Sequence, residues 1–331
     1  MAEETKDSDR RSVAAALEAI RPRHWIKNAF VIAPILFSGR FDEAAAWAES
    51  LVAAAAFCLL SSAAYVMNDL RDREADRAHP DKRGRAIASG RLPPAGAAVT
   101  AALSLAGGAA LAAGVAAHLA GTGAPHHAWT FAGWAGAFVV LNVLYTTWLK
   151  HHAIVDVLVV ALGFVLRAMA GASAIAVPIS PWLVVCTFTL CLFIALTKRR
   201  SELAELPAGV AGATRTVNRL YDPRDIEHMV SVSTAMAILT YSLYCLAPRT
   251  VDPQGVGSAH MIWTIPLVVY GMFRYNRITR RAGYSDPVPV LLRDRVLWAV
   301  LIAYVVLAAL VIKCGRTLAI RSILDAEVPT Q

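Results

Sequence analysis

Three aspartates follow a long apolar run near the start of the chain, at a spacing that can bring their carboxylates together. Asp69, Asp72 and Asp76 stand at positions i, i+3 and i+7, directly after the apolar run 51–67. If the helix continues through them, 100° per residue places the three side chains within about 60° of one another, and Tyr65 shares their face. Converging carboxylates repel one another unless a cation holds them, and oxygen ligands of this kind suit Mg²⁺ shared with substrate phosphates. The alternative is a solvated face on which neighbouring arginines pair with the aspartates.

Basic residues follow these aspartates in the next loop. Lys82, Arg83, Arg85 and Arg91 lie within ten positions of one another. Cationic side chains beside a carboxylate–Mg²⁺ site suit a diphosphate leaving group, because the metal and the cations neutralise its oxygens together. Ordinary enrichment of basic residues on one side of a membrane is the alternative, and it accounts for Arg91. We predict a function for Lys82 and Arg83.

Four further charged residues lie at the edges of apolar segments or inside them. Lys27 stands at the edge of the first segment, where it can anchor a helix or hold a phosphate, and Lys150 closes the fourth. Asp156 and Arg167 lie inside the fifth, where charge is costly and marks a partner or a polar cavity. They are eleven residues apart, so they share a helix face without touching. We predict that Arg167 reaches a carboxylate or a bound phosphate; a buried structural pair is the alternative.

A second cluster of mixed charge follows the sixth apolar segment. It begins with Lys198, Arg199 and Glu202, and we expect it on the same side of the membrane as the aspartates. The sequence contains no G-x-x-x-x-G-K-[ST], G-x-G-x-x-G or G-x-S-x-G motif. This argues against a nucleotide-triphosphate motor and against a serine hydrolase.

The composition indicates a membrane protein. The chain has 331 residues, of which 57% are hydrophobic and only 17% charged, and its mean hydropathy is +0.50. Many apolar runs reach the ~20 residues that cross a hydrocarbon core, and helices are the expected spanning form for such runs. Small residues within them, such as Gly171, let membrane helices approach closely. We predict an all-α polytopic membrane protein with nine spans, at about 27–39, 51–68, 95–118, 129–149, 154–176, 181–197, 229–247, 261–275 and 295–313.

The basic residues are sorted by membrane side. With nine alternating spans, 26 of the 32 Lys and Arg lie on the side of the N-terminus, five lie on the opposite side, and Arg167 lies within a span. This asymmetry satisfies the positive-inside rule, so we predict that the N-terminal segment 1–24 and the loops 69–94 and 198–228 are cytoplasmic. The net charge of +8 is thereby explained without a nucleic-acid partner, and residues 1–331 are expected to form a single transmembrane domain.

A short amphipathic helix is predicted ahead of the first span. Val13, Leu17 and Ile20 recur on one side of the segment 12–20. This helix either lies at the membrane interface or packs on neighbouring loops.

The sequence resembles the UbiA superfamily of intramembrane prenyltransferases. The matching motifs are Asn68-Asp69-x-x-Asp72-x-x-x-Asp76 and Lys82-Arg83-x-Arg85-x-Ile87-Ala88-Ser89-Gly90. The nine-span pattern agrees with that superfamily along the whole chain. The resemblance implies helices around a central cavity, polar cytoplasmic loops above it, a lateral opening for lipid, and Mg²⁺-dependent chemistry on a diphosphate.

Within the superfamily, the sequence is most similar to the branch that transfers phosphoribosyl groups to decaprenyl phosphate. The similarity lies in residues 21–28, in Lys150 ahead of the segment 163–171, and in the cluster 198–202. Aromatic prenyltransferases carry a second D-x-x-x-D motif after the sixth span, where this chain has Lys-Arg-Arg-Ser-Glu instead. That departure favours a phosphoribosyl donor. Aspartates at 222 and 225 keep a prenyl diphosphate donor open as the alternative.

The resemblance also implies roles for individual residues. Asn68 and Asp72 are the implied metal pair, and Asp69 and Asp76 support the metal or the sugar hydroxyls. The implied donor and phosphate contacts are Tyr65, Lys82, Arg83, Lys27, Lys150, Arg167, Lys198 and Arg199, with Glu202 beside them.

The implied partners are phosphoribosyl diphosphate and a polyprenyl phosphate lipid in the plasma membrane, and a homo-oligomer is compatible with both. A transporter with a site at the membrane midplane is the alternative from another class. The clustering of charge at one face of the membrane weighs against a transporter.

Overall fold

The fold is a bundle of helices. The structure, a computed structural model, describes residues 12–80, 82–204, 221–246, 259–280 and 294–314, and no strand occurs within these ranges. The α-helices are α1 (12–19), α2 (Ala29–Phe37), α3 (Ala44–Arg71), α4 (Arg73–Ala78), α5 (Pro94–Gly121), α6 (Pro125–Thr147), α7 (Val155–Ala174), α8 (Pro181–Ala204), α9 (Pro223–Leu246), α10 (Ile265–Thr279) and α11 (Arg295–Cys314). Short 3₁₀ helices cover Pro22–Asn28, Leu149–His151 and Ala259–Thr264. The predicted all-α class is confirmed.

Seven of these helices are long and apolar enough to cross a membrane, judged by length and composition. They are α3, α5, α6, α7, α8, α9 and, over Arg295–Lys313, α11. These helices lie where the second to seventh and the ninth spans are predicted. The first and eighth predicted spans correspond to α2 and α10. At 1.5 Å per residue these are only about 14 and 22 Å long, which is shorter than a hydrocarbon core of about 30 Å.

The segment that contains α2 nevertheless extends between the two ends of the bundle. Arg21, just before it, binds Asp69 near the C-terminal end of α3. Arg40, just after it, donates to the carbonyl oxygen of Ile175 beyond the far end of α7. The 3₁₀ helix Pro22–Asn28 therefore supplies part of the path that α2 alone is too short to cover. The count of nine spans stays a prediction.

Helix α7 joins the two halves of the bundle, because its two ends contribute to different apolar clusters. Ala170 and Ala174 pack with Phe57 of α3 in a cluster that also includes α2, α5 and α6. At the other end of α7, Val157 packs with Phe193 of α8 in a cluster that continues into α9, α10 and α11. The first half of the chain therefore holds the C-terminal end of α7, and the second half holds its N-terminal end.

Helix α1 packs on the loop that follows α4. Its buried side chains are Ala15 and Ala19, which lie in a cluster with Ile87 and Leu92. Of the three residues of the predicted apolar face, the one at position 20 packs against this cluster, whereas those at positions 13 and 17 are exposed. The small alanines allow the helix to approach the loop closely. This packing brings the following residue, at position 21, over the end of α3.

Helix α2 contacts α7 backbone to backbone at Gly171. A Cβ atom at this position would overlap the carbonyl oxygen of Val31, and a backbone oxygen cannot rotate away as a side chain can. We therefore expect Gly171→Ala to lower the free energy of unfolding by about 2 kcal/mol or more. Gly114→Ala in α5 is the matched control, because in the described part of the chain its added Cβ meets nothing within 4 Å beyond the backbone of its own helix, and alanine favours the helix. Thermal unfolding in detergent compares the two, and equal melting temperatures would contradict the close contact.

Candidate active site

The predicted aspartate cluster lies where α3 gives way to α4. Asp72 caps α3 with φ −88° and ψ 8°, outside regular helical geometry. Two backbone hydrogen bonds flank it: the Asp72 N–H donates to Asn68 O at 2.9 Å and the Asp76 N–H donates to Asp72 O at 2.8 Å. The regular helix is nevertheless interrupted at this residue, since α3 ends at Arg71 and α4 begins at Arg73. The contacts of the three aspartates fall into two groups around this interruption.

The first group joins Lys150 to Asn68 and Asp72. The Lys150 Nζ lies 2.6 and 2.7 Å from the two carboxylate oxygens of Asp72 and 3.3 Å from Asn68 Oδ1. Lys150 is buried in the 3₁₀ helix Leu149–His151, between α6 and α7. The structure therefore brings together three of the predicted site residues from segments about 80 positions apart in sequence.

The second group joins Asp69 and Asp76 to two arginines. Arg21 Nη2 lies 2.6 Å from both carboxylate oxygens of Asp69. Arg85 Nη1 lies 3.1 Å from Asp69 and 2.7 Å from Asp76, and it bridges them. Both aspartates are buried, so each needs a cationic partner. Neither arginine is among the predicted site residues. Both belong to basic segments that also contain predicted site residues, at 21–28 and 82–91.

The remaining predicted contacts of this region are placed around these two groups. Tyr65 lies beneath Arg21, with 5.4 Å between its ring centroid and the guanidinium carbon. Lys27 is partly buried in the 3₁₀ helix Pro22–Asn28. In the loop after α4, Arg83 is exposed and Lys82 is partly exposed.

Substitutions in this loop can show that Arg85 contributes more to stability than Arg83 does. We expect Arg85→Gln to lower the free energy of unfolding by about 1–2 kcal/mol, because it removes a charged partner from two buried carboxylates while Arg21 still holds Asp69. Arg83→Gln, two positions away and exposed, should change it by less than about 0.5 kcal/mol. Chemical denaturation of the purified variants measures both, and equal effects would contradict the bridge.

Among the described residues that pair within the two groups, charge is balanced. Three carboxylates face three cationic side chains, at Arg21, Arg85 and Lys150. A divalent cation added alone would leave this buried group with excess positive charge. A cation that enters with an anionic substrate would keep the balance, and such a pair is what the site is suited to bind.

Asn68 and Asp72 fit a magnesium ion. Their side-chain oxygens converge on one ammonium group, so they already surround a position that a cation fills. Carboxylate and amide oxygens are ligands that Mg²⁺ accepts. In the described part of the chain, no three His, Cys, Asp or Glu side chains gather in a metal-binding arrangement. Mg²⁺ commonly takes one or two protein ligands and completes its shell with water and substrate phosphates, so the pair is sufficient.

Arg167 lies deeper in the bundle and has neutral partners. Its Nε donates to Asn28 Oδ1 at 2.7 Å, its Nη1 to Gly163 O at 2.9 Å, and its Nη2 to Ser61 Oγ at 3.2 Å. The guanidinium carbon also lies 4.4 Å from the ring centroid of Phe138. The predicted carboxylate is not among these hydrogen-bond partners, so the phosphate half of the prediction stays open.

Arg167 lies about two helical turns below Asn68 and Asp72. Ser61, its partner on α3, precedes Asn68 by seven residues, which corresponds to about 10 Å along the helix. A phosphate held by Arg167 would therefore be a different group from one held at Asn68.

The second predicted cluster is an ion-pair network at the N-terminal end of α7. Asp156 is fully buried and accepts hydrogen bonds from Arg199 and from the hydroxyl of Tyr221, the latter at 2.7 Å. Arg199 also binds Glu202, whose Oε1 lies 3.8 Å from Lys198 Nζ. Asp156 thus pairs with α8 rather than with the arginine that shares its helix face. Residues 205–220 of the predicted loop 198–228 lie outside the described residues.

Curated proteins similar to this chain align with it over most of its length. The decaprenyl-phosphate phosphoribosyltransferase of Mycolicibacterium smegmatis is 31% identical over 317 residues, which cover 92% of this chain and 94% of that protein. The protein of the same name from Mycobacterium tuberculosis is 31% identical over 302 residues, covering 88% of this chain and 92% of its own length.

Solved structures show the same fold. A UbiA homolog from Archaeoglobus fulgidus, bound to DMAPP and Mg²⁺, superposes with a TM-score of 0.67 at 16% identity and covers 90% of this chain and 99% of its own. The UbiA prenyltransferase family matches residues 31–287, which is well over half of the sequence. The chain is therefore a membrane enzyme that belongs to the UbiA prenyltransferase family.

Proposed function

We propose that this protein transfers a 5-phosphoribosyl group from 5-phosphoribosyl 1-diphosphate to a polyprenyl phosphate such as decaprenyl phosphate. The observation that supports this most is the Lys150–Asn68–Asp72 group, where a buried cation and two oxygen ligands lie together at the end of α3. It suits a diphosphate that arrives with Mg²⁺. The names of the curated relatives supply the phosphoribosyl donor and the lipid acceptor.

The proposed reaction is a displacement at the anomeric carbon of the ribose. The C1–O bond to the diphosphate breaks with oxocarbenium character, and the leaving diphosphate keeps the bonding electron pair. An oxygen of the lipid phosphate forms the new bond from the opposite face, so we expect inversion at C1. The nucleophile is already anionic and needs no strong general base, and most of the catalysis is positioning and charge stabilisation.

The protein's own residues bind and orient the charged groups in this proposal. Mg²⁺ held by Asn68 and Asp72 would neutralise diphosphate oxygens. Lys150, whose ammonium group binds these two residues in the structure, would yield that position to the metal and pair with the departing diphosphate beside it. Arg167, whose hydrogen-bond partners are neutral, is suited to one of the phosphates that the metal does not hold. Asp69 and Asp76, fixed by their arginines, keep the end of α3 in place.

The second charge cluster supports the phosphoribosyl donor over a prenyl diphosphate. Aromatic prenyltransferases, which use a prenyl diphosphate donor, carry a second aspartate-rich motif after the sixth span. At that place the side chains of Arg199 and Glu202 are bound to each other and, through Arg199, to Asp156. Both Asp156 and Glu202 are thus paired with Arg199, which makes these two carboxylates poor candidates for holding another metal ion.

The proposed orientation places the aspartate cluster on the cytoplasmic side of the plasma membrane. The excess of Lys and Arg on the side of the loops 69–94 and 198–228 supports it. A water-soluble donor would then reach the site from the cytoplasm, and the lipid would enter from the bilayer.

Two assays with purified protein test the proposal. Labelled phosphoribosyl diphosphate with decaprenyl phosphate and Mg²⁺ should give label in the butanol-extractable lipid. A labelled prenyl diphosphate with an aromatic acceptor should give no product. If only the second assay gives product, the donor is a prenyl diphosphate rather than phosphoribosyl diphosphate. If the protein moves substrate into liposomes and neither assay gives a covalent product, it is a transporter.

A further inference from the structure

The connector between Lys150 and α7 ends in a strained turn. Ile154 has φ 69° and ψ −49°, and the Val155 N–H donates to the carbonyl oxygen of Ala153 at 2.8 Å. A turn of three residues with positive φ is rare, and it is unfavourable for a β-branched residue such as isoleucine. The surrounding structure must hold such a conformation, and strain of this kind tends to lie at functional sites.

The hydroxyl of Tyr221 holds this turn. It accepts the backbone N–H of Ile154 at 2.6 Å and donates to Asp156 at 2.7 Å. Asp156 is fully buried and is fixed in turn by Arg199. Burial, and then the hydrogen bond to Asp156, raise the pKa of Tyr221, so the phenol stays protonated and remains a donor at neutral pH.

The turn determines where the connector can place Lys150. Only three residues separate Lys150 from Ile154, and the Asp156 N–H binds the carbonyl oxygen of His152 at 3.1 Å. There is little slack in so short a segment, and the Lys150 Nζ must reach Asp72 at 2.6 Å. A rotation at Ile154 would turn the whole connector relative to α7.

We propose that Tyr221 is a positioning residue, whose hydroxyl keeps Ile154 in the strained turn and thereby places Lys150 against Asp72. The importance of Lys150 for the reaction rests on the proposed function. Its placement by Tyr221 does not, and it can be measured without substrate.

Acetylation of lysines by an N-hydroxysuccinimide ester, followed by mass spectrometry of the full-length protein in detergent, measures the exposure of Lys150. Tyr221→Phe should raise the labelling rate of Lys150 roughly fivefold or more, since release of the strain favours another conformation of the turn. Lys313, exposed near the end of α11, is the internal control and should not change.

A second substitution tests the strain itself. Ile154→Gly in the Tyr221→Phe background should restore protection of Lys150, because glycine adopts positive φ without steric cost. Ile154→Ala in the same background should not restore it. A merely structural loss at Tyr221 would not be rescued by glycine, which weakens folded structures in general. The Michaelis constant for the donor should rise in Tyr221→Phe, stay high when Ile154→Ala is added, and fall again when Ile154→Gly is added.

Four outcomes would overturn the proposal. Lys150 could stay protected in Tyr221→Phe, glycine could fail to restore protection, or alanine could restore it as well as glycine, and each of these results would show that the strained turn does not place Lys150. Should Tyr221→Phe not fold, the single variants Ile154→Gly and Ile154→Ala decide: a glycine variant no more stable to heat than the alanine variant would mean that the turn is not strained. Protection that follows the expected order without any transfer activity would instead count against the proposed function alone.

Discussion

Asp72→Ala should reduce phosphoribosyl transfer by roughly 1,000-fold, the size of effect expected when a group that stabilises developing charge is removed. Asp72 supplies the carboxylate of the proposed metal pair, and both of its oxygens also bind Lys150. Its loss therefore weakens the metal site and leaves the lysine with Asn68 as the remaining contact in this group. Initial rates with labelled donor and saturating lipid measure the effect.

Glu74→Ala is the matched control for Asp72→Ala. Glu74 is an acidic residue two positions further on, but it is exposed and pairs with Arg73 and Arg77 instead of the buried cluster. Its removal should leave the transfer rate within about twofold of the starting protein. The melting temperature of Asp72→Ala is measured alongside, and Asp72→Asn serves as a milder variant if folding is impaired. Turnover that survives in a folded Asp72 variant would eliminate the metal pair.

The helices were predictable because hydropathy depends on local sequence. The long apolar segments give seven of the expected spans directly. The segment 22–37 is different, since part of it is a 3₁₀ helix and its path is determined by contacts at its two ends, with Asp69 and Ile175. A span of this kind depends on tertiary partners, which the local sequence does not specify.

The interruption of the helix at Asp72 is the main difference between the predicted and the observed cluster. Periodicity places the aspartates near one another, as observed, but Asp72 is itself a non-helical residue between α3, which carries Asp69, and α4, which carries Asp76. The partner of each aspartate comes from a distant segment: Arg21 is 48 positions from Asp69, and Lys150 is 78 positions from Asp72. Several basic residues were available in sequence, and only the packing selects among them.

The sequence predicts that the charged residues inside spans need polar partners, and both Asp156 and Arg167 have them, but the sequence does not predict which partners. Asp156 and Arg167 share a face of α7, yet Asp156 binds Arg199 and Tyr221, while Arg167 binds Asn28 and other neutral groups. The register between helices decides these contacts. Arg167 is therefore a buried cation with no carboxylate among its hydrogen-bond partners. Its removal is expected to affect activity more than stability.

Arg167→Met should therefore lower transfer by about 100-fold or more while the free energy of unfolding changes by less than about 1 kcal/mol. Methionine removes the cost of burying a charge, and this gain offsets the hydrogen bonds that three neutral acceptors lose. The loss of a buried cation that binds a phosphate typically amounts to several kcal/mol of binding. Transfer rates at varied donor and varied lipid concentrations show which phosphate is affected, and thermal unfolding measures stability.

Arg200→Met is the matched control and should behave in the opposite way. Arg200 is also a buried arginine, but it binds the carboxylate of Glu227 and the hydroxyl of Thr279 away from the cluster. Its loss should lower the free energy of unfolding by about 1–2 kcal/mol, since Arg280 remains to pair with Glu227, and should leave the rate per folded molecule nearly unchanged. If Arg167→Met instead loses stability and activity in parallel, as a structural residue would, then its guanidinium holds the helices together and the phosphate must be bound elsewhere.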